Sequence, residues 1–125
     1  MNFRGKVSSG KKKGRFFLSR ENYIVQINEK LGFVPYPGTL NVNIDGAEMS
    51  KEPCTLLQGF SNGSRYFGDV ACYRAILLYG EKSVECFALR PLLSTHTGVI
   101  ELIHEKNLRE LLGLEDGIEV EIELV

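Results

Sequence analysis

Apolar side chains recur along this chain with two periods. From Tyr23 they return at Ile27 and Leu31, with Ile24 alongside, a spacing that predicts a helix over 20–31. Ser19 stands where a cap belongs, and Gly32 suits the left-handed position past the last turn. Pro35 and Pro37 then exclude helix and force an extended path. In Gly38-Thr-Leu-Asn-Val-Asn-Ile44 the period drops to two: Leu40, Val42 and Ile44 face one way, Thr39, Asn41 and Asn43 the other. The same alternation closes the chain, where Ile118, Val120, Ile122 and Leu124 interleave with Glu119, Glu121 and Glu123 after an Asp116-Gly117 turn.

Between these ends the pattern predicts more strands. Gly5 to Ser9 reads as a short one, and beyond the loop Gly10-Lys-Lys-Lys-Gly14 the run Phe16-Phe-Leu18 can pair or pack. Pro53 and Ser61-Asn-Gly-Ser64 mark loops. Residues 65–79 and 83–89 are rich in Tyr, Phe, Val and Ile, with Tyr79-Gly-Glu-Lys82 as the turn between them. A further strand fits Val99 to His104. Asn107 with Glu110 three residues later resembles a capping box, Leu108, Leu111 and Leu112 form an apolar stripe, and Gly113 ends this second helix. Six or more strands against two short helices predict a mainly β fold, a barrel with helical decorations.

Composition narrows the class. At 125 residues, 43% hydrophobic and 25% charged, the chain has the length and core content of a single globular domain, 1–125. No apolar run reaches the roughly 18 residues of a membrane span, and the start lacks the apolar stretch of a secretory signal. A cytoplasmic protein is expected. Cys54, Cys72 and Cys86 are odd in number and lack C-x-x-C spacing, which argues against a disulfide framework or a zinc site and for reduced, mostly packed thiols. The net charge is −1, yet Arg4, Lys6, Lys11, Lys12, Lys13 and Arg15 crowd one segment without an acid among them.

That segment nearly spells a phosphate-binding loop, G-x-x-x-x-G-K-[ST], over Gly5 to Lys12. Lys12 stands where a hydroxyl must ligate magnesium, and four residues are too few for the strand that feeds such a loop. What remains is a lysine turn between Gly10 and Gly14, either an anion-binding loop or an exposed hairpin tip. Thr39 and Asn41 are two neutral oxygen donors on one strand face, able to hold a hard cation whose other ligands are phosphates and water; a wet strand face gives the same pattern. Glu101 shares a face with Val99 and Ile103, as an exposed residue or as a carboxylate that accepts from a polar ligand or takes a proton from a hydroxyl. Thr95, His96 and Thr97 precede it. Lys106-Asn-Leu-Arg109 opens the second helix, where anion binding and an ordinary cap compete.

The order of these segments carries a resemblance. The series Gly5-x-Val-x-Ser-Gly10-x4-Arg15-x-Phe, Leu31-Gly-Phe-x-Pro-Tyr-x-Gly-Thr-Leu-Asn41, Ile100-Glu-x-Ile, Leu108-Arg-Glu and Leu114-x-Asp-Gly117 resembles the CTP-dependent riboflavin kinases of archaeal type over nearly the whole chain. The resemblance implies a six-stranded cradle-loop barrel that moves the γ-phosphoryl group of CTP to the 5′-hydroxyl of riboflavin, giving FMN and CDP. It further implies nucleotide contacts from Gly10, Lys11, Lys12, Lys13, Gly14 and Arg15 and from Lys106, Asn107, Leu108 and Arg109. Thr39 and Asn41 become Mg²⁺ ligands, and Thr97 and Glu101 flavin contacts, with Glu101 the candidate catalytic group. The chain departs from the family's G-x-G-E-G loop in reading Gly10-Lys-Lys-Lys-Gly14, and 94–98 is about one residue short. Relatives can carry a preceding winged-helix domain and act as regulators; a chain starting at the first barrel strand favours the enzyme over a flavin or nucleotide sensor. A monomer without nucleic-acid or membrane partners is expected.

Overall fold

The computed structural model describes residues 1–9, 21–44, 51–92 and 98–125. Nine strands and two helices follow one another there: β1 Asn2–Ser8, α1 Glu21–Leu31, β2 Leu40–Ile44, β3 Thr55–Leu57, β4 Phe60–Asn62, β5 Arg65–Phe67, β6 Val70–Tyr79, β7 Lys82–Pro91, β8 Val99–Ile103, α2 Leu108–Leu112 and β9 Glu119–Leu124. Neighbouring strands run β6-β7-β8-β2-β1-β9, and β9 pairs back onto β6. The ring is a closed six-stranded antiparallel barrel, as the alternation predicts. Closure depends on the length of β6: Ala75 to Leu78 pair with β9, while Val70 to Cys72 pair with β3 on the same edge.

Alternation fills two cores. Leu40, Val42 and Ile44 of β2 meet Ile100 and Leu102 of β8 and Val120, Ile122 and Leu124 of β9 inside the barrel. On the outer surface Tyr23 and Ile27 of α1 are fully buried against Leu57, Val70, Cys72, Leu89 and Ile103. The Tyr23 hydroxyl donates to the Gly68 carbonyl at 2.7 Å, which fixes the helix to the sheet. Burying an aromatic and an aliphatic side chain contributes about 1.5–3 kcal/mol each, more than propensity gives an eleven-residue helix.

Two expectations change, and the thiols are reduced and mostly packed as expected. The strand over 65–79 is two strands, because the chain bends at Gly68-Asp69, where the Asp69 carboxylate accepts the Gly59 N–H at 2.6 Å and its carbonyl accepts that of Leu92 at 2.9 Å. The loop at 61–64 is the tight turn of the β4–β5 hairpin, with Gly63 at φ 66°. Cys54 is exposed, whereas Cys72 and Cys86 are buried; all three are free thiols. Among the described residues no helix is long and apolar enough to cross a membrane. Phe16 to Leu18 and Ser19 lie outside the described residues.

Candidate active site

Strand β2 lies between β1 and β8, so its outward side chains meet those of both neighbours. Asn41 is the Cα partner of Ser8 on β1 and of Glu101 on β8. Ser8, Asn41 and Glu101 therefore form one row across the barrel's outer surface, side chains directly opposite being about 5 Å apart. Among the described residues Asn41 is the one amide or charged side chain that is buried, at 8% exposure. A buried amide needs partners for its oxygen and nitrogen. Among the described residues its Oδ1 accepts only a long 3.5 Å contact from the Thr39 hydroxyl, which leaves capacity on this oxygen for a further partner. Ser8 donates instead to the Asn43 amide oxygen at 3.3 Å, and Asn43 is exposed.

Two backbone features hold this row. Gly5 pairs with Ile44 so closely that a Cβ there would lie 2.1 Å from the Asn43 carbonyl oxygen. At the same end of β2, on its β8 side, Gly98 adopts φ 95° and its carbonyl accepts the Ile44 N–H at 2.8 Å. The segment before β2 is tied to β8 as well, since the Tyr36 N–H donates to the His104 carbonyl at 2.8 Å. His104 is a scaffold residue: its Nδ1 accepts the Lys106 N–H at 2.9 Å. Glu101 is half-buried, between Asn41 and Leu89 in register.

The four residues at the second helix divide by environment. Asn107 caps α2, accepting from Arg109 N at 3.0 Å and Glu110 N at 3.4 Å. Leu108 is buried in the barrel core, so only its main chain can meet a ligand. Lys106 is exposed. Arg109 reaches across to the end of β1, where Nη2 donates to the Ser8 carbonyl at 3.0 Å and to Asp116 Oδ1 at 2.6 Å. The other Asp116 oxygen accepts the Ser9 hydroxyl. These bonds, from Ser9 first and Arg109 second, hold the Asp116 carboxyl below the usual carboxylate range.

Thr39, Asn41 and Glu101 thus share one outer face, with Arg109 beside the adjoining end of β1. Gly10 to Arg15 and Thr97 lie outside the described residues. Ser8 and Asp116 are neighbours that the sequence pattern does not single out: Ser8 ends a strand, and Asp116 reads as half of an Asp-Gly turn. A cavity of about 440 Å³ on the outside of β6–β8 is lined by Phe33, Arg74, Phe87 and His104 and includes none of the predicted site residues. No group of three or more His, Cys, Asp or Glu side chains among the described residues can hold a metal. Thr39 and Asn41 themselves offer a cation neutral oxygens.

Known proteins resemble this chain over most of its length. The family profile CTP-dep_RFKase, described as "Domain of unknown function DUF120", matches residues 7–124. The riboflavin kinase of Pyrobaculum islandicum is 43% identical over 127 residues, which cover 96% of this chain and 58% of that protein. That of Thermoplasma acidophilum is 36% identical over 126 residues, 96% of this chain and 56% of its own. For that of Ignicoccus hospitalis the values are 39% over 129 residues, 98% and 70%. The chain spans little more than half the length of the first two relatives.

Proposed function

The chain belongs to the CTP-dep_RFKase family, and from that premise we propose that it is a riboflavin kinase, transferring the γ-phosphoryl group of CTP to the 5′-hydroxyl of riboflavin to give FMN and CDP. The observation that carries the reading is the buried Asn41, whose oxygen is under-used and sits 3.5 Å from the Thr39 hydroxyl. Adjacent oxygens around an octahedral magnesium ion are about 3.0 Å apart, from metal–oxygen distances near 2.1 Å. The observed 3.5 Å between the two oxygens is near that spacing, so the donor set fits Mg²⁺. Thr39 and Asn41 would be its protein ligands, leaving other positions for phosphate oxygens and water. Bound there, the ion would neutralise charge on the transferring phosphoryl group.

The remaining work is positioning. Phosphoryl transfer needs an in-line arrangement and charge stabilisation more than covalent chemistry. Glu101, opposite Asn41 in register, is assigned to the flavin: it accepts a hydrogen bond from the 5′-hydroxyl and aims it at the phosphorus. Thr97 is assigned to the same ligand. Gly10, Lys11, Lys12, Lys13, Gly14 and Arg15 are assigned to the nucleotide, with three lysines suited to a triphosphate. Lys106, Asn107, Leu108 and Arg109 flank it, Leu108 through its main chain alone. The reading takes the protein as a cytoplasmic monomer that needs no nucleic acid.

Incubation with riboflavin, Mg²⁺ and each of CTP, ATP, GTP or UTP, followed by chromatography, tests this. FMN is expected, with CTP the best donor. Binding of flavin and nucleotide with FMN from none of the four would mean a sensor, not a kinase.

A further inference from the structure

Asp116 is exposed, yet three parts of the chain meet at it. Oδ1 accepts from Arg109 Nη2 at 2.6 Å, and Oδ2 accepts from the Ser9 hydroxyl. The same Arg109 nitrogen donates to the Ser8 carbonyl at 3.0 Å. Two main-chain bonds close the junction, Gly117 N to Val7 O at 2.8 Å and Val7 N to Ile118 O at 2.9 Å. An isolated surface ion pair contributes little; Arg4 with Glu119 and Glu121, its side chain 68% exposed, is such a case. Arg109 differs because its side chain is only 33% exposed and its bonds reach a strand carbonyl as well as a carboxylate.

Arg109 Nη2 spends both of its hydrogens on Ser8 and Asp116. Nε and Nη1 keep three N–H groups with no partner among the described residues. The bond to Asp116 therefore orients the guanidinium without using up its capacity for an anion. The geometry points to Asp116 as a positioning residue for the nucleotide: it joins α2 to the end of β1 and presents Arg109 toward the phosphates. This rests on the kinase reading, in which Arg109 serves the nucleotide. Asp116 itself touches no substrate.

The test is steady-state kinetics with CTP and riboflavin on the wild type and on D116A, D116N, R109A and R109A/D116A. D116A should raise KM for CTP about fivefold to tenfold, the coupling expected of contacting side chains, with kcat and KM for riboflavin within about twofold. D116N keeps one acceptor oxygen and should fall between D116A and wild type. In the R109A background the Asp116 change should add nothing, because Asp116 acts through Arg109. Circular dichroism verifies folding, and D116N is the variant read if D116A unfolds. An unchanged KM for CTP, an equal rise in KM for riboflavin, or additive effects in the double variant would overturn the assignment while leaving the kinase intact. A wild type that forms no FMN from CTP would remove both.

Discussion

Replacing Gly5 by alanine puts a methyl group into a space the barrel does not have. The added Cβ would lie 2.1 Å from the Asn43 carbonyl oxygen and 2.9 Å from Ile44 Cγ2, where ordinary contact begins at 3.4 Å. The carbonyl belongs to the backbone of β2, so no rotamer relieves the clash and β1 must move off β2 by about 1 Å. Ladder bonds near 2.9 Å would then stretch toward the limit of useful geometry. Overpacking costs about 1–3 kcal/mol, and one or two weakened hydrogen bonds add about 1 kcal/mol each. The expected loss is about 2–5 kcal/mol. Strand propensity alone gives the opposite sign, since alanine is favoured over glycine by about 0.5–1 kcal/mol in a strand interior. Gly80 is the control: it has φ 59° and nothing within 4 Å of a Cβ, so G80A should cost only the left-handed backbone penalty, about 1–2 kcal/mol. Urea unfolding of both variants decides between them, read as a shift in midpoint at constant slope. A G5A loss no larger than that of G80A would refute the close approach of β1 and β2.

Other consequences follow from single residues. Asn41→Ala should lower riboflavin phosphorylation at least about tenfold to hundredfold and raise the Mg²⁺ concentration needed for half-maximal rate; unchanged Mg²⁺ dependence would exclude Asn41 as a ligand. The Tyr73 hydroxyl is buried and has no hydrogen-bond partner among the described residues, so Tyr73→Phe should leave stability unchanged or raise it by up to about 1 kcal/mol, and a loss by calorimetry would contradict this. Burial pushes the Cys72 and Cys86 thiols up to about 12 and, with Asp69 and Tyr66 adding to it, the Tyr23 hydroxyl to about 12. All three favour the neutral form in the fold, so their stabilisation is complete below pH about 9, where unfolded thiols stay protonated, and is lost as pH rises toward 12. Denaturant midpoints measured from pH 8 to 11 should fall, and less steeply in Cys86→Ala.

Local rules reach far in this chain because the barrel repeats them. The alternation in Leu40 to Ile44 and Glu119 to Leu124 depends only on which neighbours lie inside, and α1 follows from Tyr23, Ile27 and Leu31 at helical spacing. The short strands β3 and β4 were not legible: Leu56 points outward and only three residues pair at each, too few for a period to show, while β5 was read as strand but not as separate from β6. The site was half legible. Period two places Thr39, Asn41 and Asn43 on one face, but Asn41 is buried and Asn43 exposed, a difference set by the β1 and β8 side chains beside each. No pairing rule in a single strand names those neighbours. Asp116 shows the same limit, because its partner Ser9 is 107 residues away in sequence and only the closure of β1 against β9 brings the two together.

In the proposed transfer from nucleotide to riboflavin the γ-phosphorus is the atom that moves, and labelling it follows the reaction itself. With CTP labelled at the γ-phosphorus, riboflavin and Mg²⁺, the label should appear in FMN as unlabelled CDP forms in equal amount. Label that stays in CTP or leaves only as inorganic phosphate, with riboflavin unchanged, would contradict the account.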